Sequence, residues 1–588
     1  MPDFRIRLIF YAVAGLSLVL VFRLFNLQVL ENSEFVQLAQ NQQSVWATTS
    51  GTRGSILASD GFPLALSSPG WVVTANPKKI KDSASTARLL APLFIQQDRV
   101  KPGVENSGEN SPEEDEKSKD QLLVEEGERL RKLLTRGGEW VALKEGVRSE
   151  VKDNIAAFLI EGLGFEFRER REYLEETLGA PVLGFVGKDE AGEDQGYFGL
   201  EGYYDLTLRG GSGERNFEKD ALGNLILVGG LREVNPIQGI SLKTYIDRTV
   251  QWVIEEKLKE GMERYGASEG TVVVMRPSDG AILASASLPS YNPRYFSQYK
   301  QEDFVDRAVS TSFEPGSIFK VLVMAAALDA GAVKLDDKCD QCGGERSIGG
   351  FVIQTWDDKY YPQSTPQEII AHSDNVGMIW AGERLGKDRL YEYLRKFGIG
   401  EKTGIDLQGE ANISLRDKDE WRDVDVATAS FGQGVAVTPI QMLRAAAAVA
   451  NGGVLVVPKV VDKMVVGGLE EVGGSKSEVG VISEETAREM TKIMVNAVEA
   501  GEAKWTKLKG FDVAGKTGTA QIPVRGHYDS EKTIASFVGF APSSSPEFVM
   551  LVTLREPQSS PWASETAAPL WFSIAEELFP YFGIQPRD

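Results

Sequence analysis

Residues 314–331 read EPGSIFKVLVMAAALDAG, a chain break followed at once by an unbroken apolar run. Pro315-Gly316 interrupts whatever precedes it, and the run from Ser317 has the length and apolarity of a buried helix that stops before Gly331. Ser317 falls in the first turn, and Lys320, three residues on, shares its face. The positive end of the helix dipole favours a developing alkoxide there. A lysine desolvated at that point can give up its proton and act as a base. Ser-x-x-Lys alone recurs by chance in a chain of 588 residues; the break-then-helix setting raises it above that background.

The surroundings of this run specify a sheet. Upstream, ISLKTYIDRTVQWVIEEKLKEG passes from strand alternation into an amphipathic helix from about Arg248. GTVVVMRPSDGAILASAS then reads as a hairpin of strands over 270–276 and 281–287 joined through PSDG. Downstream, after a long helical and loop-rich stretch over 304–500, strands are expected at 511–522, 533–541 and 547–554, and a helix over 566–578. Two strands, a helical insertion, three strands and a terminal helix describe an α+β domain whose antiparallel sheet is covered by helices.

Two more short motifs fall in this region. Thr365-Pro366-Gln367-Glu368 is a capping box with proline at the first helical position. It opens a short helix, and another apolar run begins after Ser373-Asp374-Asn375. The triplet is a tight link in which Ser373 and Asn375 can face a cleft; a plain helix cap is the competing account. Lys516-Thr517-Gly518-Thr519 lies inside the strand-like VAGKTGTAQIP. Gly518 in a strand marks close approach of a ligand or another backbone, and a strand with an open edge pairs with an extended peptide. A phosphate loop is excluded, because no GxxxxGK precedes the Lys-Thr and the setting is not strand-to-helix.

Composition narrows the chemistry. The net charge is −21 with no basic cluster, so a nucleic-acid partner is not expected. Two histidines, His372 and His527, and two cysteines, Cys339 and Cys342, are too few for a zinc centre or a cofactor-ligating cluster. A histidine-activated nucleophile is equally undersupplied, so no metal and no cofactor is expected. His372, beside Ser373, reads as a structural neighbour.

Residues 8–30 form the chain's longest apolar segment, 23 residues interrupted by Arg23, long enough to span a bilayer. A cleaved signal peptide is the alternative, but no small-x-small site follows. Arg5 and Arg7 precede the span, which places the tail 1–7 inside and the bulk outside the membrane. No comparable run recurs in the sequence, giving a single-pass topology. Residues 31–235 mix short strands with turns and carry a polar, acidic insert at about 98–126 that reads as a solvated loop or a disordered insert. The texture changes near Asn235-Pro236, so 236–588 is taken as the second domain.

In this order and setting, the three motifs resemble those of the penicillin-binding protein and serine β-lactamase superfamily. RGSILASDG (53–61), GLEGYYDLTLRGGSGE (199–214), SLPSYNPRYF, FGQGVAVTPIQML and ASFVGFAP extend the resemblance to class B penicillin-binding proteins over most of the chain. Two departures lie away from the motifs: the family's proline after Tyr173 is missing, and the acidic insert has no counterpart. The resemblance implies a β-rich elongated pedestal of dimerisation type over 31–235, and a transpeptidase domain with a five-stranded sheet and a helical lobe. It implies a peptidoglycan D,D-transpeptidase of cell division or cell shape, inhibited by β-lactams, that cross-links stem peptides through a serine acyl-enzyme and works beside a multi-span glycan polymerase.

By the same resemblance Ser317 is the nucleophile and Lys320 its base, with Lys516 keeping Lys320 neutral by like-charge repulsion. Ser373 passes a proton to the leaving D-alanine, and the N–H groups of Ser317 and Thr519 form the oxyanion hole. Asn375 holds a substrate amide, while Lys516, Thr517, Gly518 and Thr519 make the strand that takes the terminal carboxylate. A D,D-carboxypeptidase or β-lactamase uses the same motifs, and a non-catalytic β-lactam sensor shares the fold. The anchor and long N-terminal module argue against the first two. The sensor's additional spans and His-Glu-x-x-His protease motif are not in the sequence. Cys339-Asp340-Gln341-Cys342, followed by two glycines, is expected to close a local disulfide outside the membrane, with reduced thiols or a loose zinc clip as alternatives.

Overall fold

The computed structural model describes residues 2–36, 44–49, 51–99, 119–218, 232–467, 469–472, 478–524 and 527–587. Pro2–Phe25 is an α-helix that continues as a π-helical turn, Asn26–Leu30. Within it Phe4–Leu30 is the one helix among the described residues long and apolar enough to cross a membrane. The helix begins six residues before the expected span, because Asp3 and Arg5 do not break a helix, although they end the apolar run.

The chain divides into two compact units. The smaller comprises Met1–Arg53 and Arg209–Gly239 and contains an antiparallel sheet of Ser44–Thr49, Gly213–Glu218 and Arg232–Val234. The larger comprises Gly54–Leu208 and Ile240–Asp588. In it, a six-stranded sheet runs Leu469–Val472, Val461–Val466, Ser241–Thr244, Ile56–Leu57, Pro63–Ser68, Arg170–Tyr173. Ser241–Thr244, beyond the expected boundary at 235/236, pairs in parallel with Ile56–Leu57. A second small sheet (Val141–Val147, Trp71–Ala75, Leu163–Phe167) has its own core, including Leu90, Phe94, Leu130 and Leu143, with helices Ser83–Arg99 and Lys119–Leu134. The acidic insert is thus shorter than its composition suggested. Residues 119–126 are the polar first half of an amphipathic helix whose Leu130 and Leu134 are buried, and 100–118 lie outside the described residues.

The antiparallel five-stranded sheet has the order Ile282–Leu288, Glu269–Met275, Phe548–Arg555, His527–Ala541, Ala514–Val524. It is buried on both faces, which explains runs such as TVVVM and FVMLVTL that lack polar alternation. Val272 and Val274 join one core with Met550, Val552 and Trp571 under the helices Arg248–Tyr265 and Ala567–Tyr581. Val273 and Met275 join the opposite core with Val549, Leu551 and the helix Lys320–Asp329. Period-two alternation sends neighbours to opposite faces. The hairpin turn closes as read, with Arg276 N–H donating to Ala281 O at 2.8 Å. Ala514–Val524 is the last strand of the sheet, leaving one edge open for the site.

Candidate active site

Ser317 sits in a 3₁₀ turn, Gly316–Phe319, that runs directly into the helix Lys320–Asp329. The expected helix is present but opens more tightly, in line with the common use of 3₁₀ turns at helix starts. Two glycines set the surroundings of this turn. Gly432, at φ +83, approaches so closely that a Cβ there would lie 2.2 Å from Gly316 O; this is why the FGQG segment can back the turn. Gly518 does the same from the sheet: its Cβ would stand 3.0 Å from Ile318 N and 2.8 Å from Ser536 Oγ. Ser317 is therefore held between a loop and an edge strand. It is half-buried, and its hydroxyl makes no hydrogen bond among the described residues.

Lys320 is completely buried. Its Nζ donates to the carbonyl oxygen of Ser373, to the Ser373 hydroxyl at 3.3 Å and to Asn375 Oδ1 at 2.8 Å. Ser373, at φ +56, occupies the link between the helices Pro366–Ala371 and Asn375–Leu385. Thr365 and Glu368 form the expected capping box. The two accounts of Ser-Asp-Asn both hold. Asp374 caps the second helix, its carboxylate accepting from Val376 N at 2.8 Å, while Ser373 and Asn375 turn to Lys320. Asn375 also donates to Gln354 O at 3.0 Å.

Lys516, 3% exposed, closes the other side. Its Nζ donates to Ser373 Oγ at 3.0 Å and to the carbonyl and hydroxyl oxygens of Thr517, both at 3.1 Å. Thr517 donates to Glu502 Oε2 at 2.9 Å. Thr519 Oγ1 accepts from Ala563 N at 3.0 Å, and Gly518 O accepts from Ser536 Oγ at 3.1 Å. Lys320, Ser373, Asn375, Lys516 and Thr517 thus share one hydrogen-bond network. Ser317, Gly518 and Thr519 adjoin it without joining it.

Electrostatics separate the two lysines from ordinary surface cations. Burial, and after it the nearby charge of Lys516, pulls Lys320 down to about 7; Glu502 and Asp374 oppose. Desolvation therefore outweighs the like-charge repulsion that the resemblance put first. Burial also lowers Lys516, again against Glu502, and raises Asp374. A lysine near 7 is a usable base at neutral pH.

Three residues at this site had no signal in the sequence. Glu502 follows the helix Glu484–Ala500 without any local pattern. Trp356 donates its indole N–H to His372 O at 3.2 Å and meets Trp562 edge-on, ring centroids 5.2 Å apart. Only tertiary structure brings these together. His372 stacks flat on Tyr361, ring centroids 3.9 Å apart. Cys339 and Cys342 form a buried disulfide, and Cys339 exchanges backbone hydrogen bonds with Ser364 (2.9 Å) and Gln363 (3.1 Å), just before the capping box.

Comparison with known proteins agrees with this geometry. Residues 270–578 match the penicillin binding protein transpeptidase domain, and 48–244 the penicillin-binding protein dimerisation domain. The chain is 30% identical to stage V sporulation protein D of Bacillus subtilis, over 99% of this chain and 87% of that one. It is also 30% identical to a protein named probable peptidoglycan D,D-transpeptidase PenA of Neisseria meningitidis, over 99% and 93%. The crystal structure of penicillin binding protein 3 from Mycobacterium tuberculosis, complexed with aztreonam, superposes with a TM-score of 0.68 at 22% identity, covering 92% of this chain and 98% of that one.

Proposed function

The chain belongs to the class B penicillin-binding proteins, and from that membership we propose that it is a serine-type peptidoglycan D,D-transpeptidase of cell-wall synthesis that β-lactams acylate. The observation that carries this reading is a half-buried serine hydroxyl, with no hydrogen bond among the described residues, in the turn that leads into a buried lysine of depressed proton affinity.

In the proposed mechanism, Lys320 turns from its present acceptors to take the Ser317 proton as Oγ attacks the carbonyl between two terminal D-alanines. The N–H groups of Ser317 and Thr519 stabilise the oxyanion, each such donor being worth ~2.7–4 kcal/mol. Ser373, reached by both lysines, carries the proton to the departing D-alanine nitrogen. Asn375 steadies a substrate amide, and Lys516 with Thr517, Gly518 and Thr519 receives the terminal carboxylate along the open strand edge. An amine of a neighbouring stem peptide then attacks the ester, releasing Ser317.

Residues 236–588 would carry this reaction and 31–235 the pedestal. Residues 8–30, within the apolar helix Phe4–Leu30, anchor the protein in the cytoplasmic membrane as a single pass, with residues 1–7 inside, beside a multi-span glycan polymerase serving division or elongation. The buried Cys339–Cys342 bridge supports an extracytoplasmic setting.

Intact-protein mass spectrometry after incubation with a β-lactam tests the reading. One adduct should appear, mapped to Ser317, and vanish in Ser317→Ala while the variant keeps the thermal transition of the parent. An adduct of equal yield on the variant removes the nucleophile.

A further inference from the structure

Glu502 stands where the proposed mechanism has no use for an acid. Thr517 has one hydroxyl proton, and the structure points it at Glu502 Oε2, 2.9 Å away. The lone pairs of the same oxygen receive Lys516 at 3.1 Å. An ammonium has three protons, and Lys516 has three acceptors, Ser373 Oγ and both oxygens of Thr517. Both groups that would greet a substrate carboxylate are therefore already engaged, and the engagement ends on another carboxylate. Thr519 differs: its oxygen accepts from Ala563 N, and its own proton has no partner among the described residues.

We propose that Glu502 is a positioning residue that sets specificity at the carboxylate end of the acyl-donor site, by holding the Thr517 hydroxyl and opposing an incoming anion beside Lys516. A substrate or β-lactam carboxylate is first met by the Thr519 hydroxyl. It gains Thr517 and the full charge of Lys516 only as Glu502 gives way. The residue thus makes the unloaded network self-sufficient and weakens the hold on anionic donors relative to uncharged ones. The inference rests on the transpeptidase reading, in which Lys516 and Thr517 bind that carboxylate. It extends to the base as well. The charged groups facing Lys320 are Lys516 from the strand, Asp374 from the helix link, itself faced by His372, and Glu502, whose charge acts against the loss of the Lys320 proton.

The test is the acylation kinetics of full-length protein with a β-lactam and with the methyl ester of its carboxylate, for wild type, E502Q and E502D. With E502Q, binding of the acid before acylation should tighten on the order of tenfold, the scale of one close like-charge contact, and that of the ester should not change. The acid limb of the pH–rate profile should move to lower pH. E502D, which keeps the charge, should restore the wild-type acid-to-ester ratio and limb. Equal changes for acid and ester in E502Q, or an unmoved ratio and limb, would overturn the proposal. Failure of wild type to be acylated at Ser317 at all would instead overturn the transpeptidase reading beneath it.

Discussion

Arg171 lies on the strand Arg170–Tyr173 with its side chain 5% exposed, and its Nε meets Glu201, 0% exposed, at 2.6 Å. Its guanidinium also donates to Gly54 O at 2.8 Å. Lys320 is buried as deeply, yet its hydrogen-bond partners are a carbonyl, a hydroxyl and an amide oxygen, and the charge that acts on it most strongly is another lysine. Both sites pay the desolvation of a cation, but only the first returns it through an opposite charge in contact. A buried arginine with a carboxylate stays charged and organises backbone around itself. A buried lysine among neutral acceptors is held where its proton is loosest. Structural and chemical uses of buried charge can be told apart by what stands in van der Waals contact with the nitrogen.

Replacing Lys320 by arginine tests that distinction most severely. Arginine keeps the charge and reaches the same oxygens but does not release a proton. Acylation of Lys320→Arg should fall by ~10²–10⁴-fold, the usual worth of a general base, as read by stopped-flow or gel labelling with a fluorescent penicillin. In wild type the rate should rise with pH through about 7, because Lys320 is the neutral base above that value and the idle ammonium below it. A rate flat between pH 5.5 and 8.5 would break the comparison.

Glu201→Gln should produce the complementary result. Removing the negative charge beside Arg171 leaves a buried cation against an amide, a change that costs ~3–5 kcal/mol in buried pairs. The urea midpoint should drop accordingly, while the acylation rate of the folded fraction stays at the wild-type value. Loss of rate without loss of stability would mean that the ion pair acts on the site after all.

The smallest effect is expected from Cys339→Ala/Cys342→Ala. The bridge closes a loop with a sequence separation of only 3, so it removes little entropy from the unfolded chain, roughly 2 kcal/mol or less. Thermal unfolding under non-reducing conditions measures it. Thiol counting under denaturing, non-reducing conditions checks the bridge itself, two free thiols in protein made by its own host disproving it.

Where the sequence was legible, one chemical rule acted over a short distance. The strand–turn–strand of 269–288, the helix from Arg248 and the Thr365 capping box appear where alternation, periodicity and capping chemistry put them, within a residue or two. Two of the motif positions are places that few residue types tolerate: Ser373, at φ +56, and Gly518, where a Cβ would stand 3.0 Å from Ile318 N. Glu502, the Trp356–Trp562 contact and the Arg171–Glu201 pair were not legible, since each joins two separate elements, even where these are only 15 residues apart as for Glu502 and Thr517, and leaves neither one locally unusual. The acidic stretch misled for a related reason: a helix that buries only Leu130 and Leu134 of its second half looks, read from its first half, like a loop.

The parallel pairing of Ile56–Leu57 with Ser241–Thr244 bears on how the chain comes to be folded. Ser55 N and Ser241 Oγ, hydrogen-bonded at 2.9 Å, are 186 residues apart. A ribosome adding roughly 5–20 residues per second needs on the order of ten seconds or more between making the first strand and making its neighbour. Throughout that interval the strand pair Ile56–Leu57 and Pro63–Ser68 has one edge with nothing to bind. An open edge of this kind is the usual template for wrong pairing between chains. Its brevity, two residues, limits the hazard, and with it the number of mistakes a half-made chain can commit.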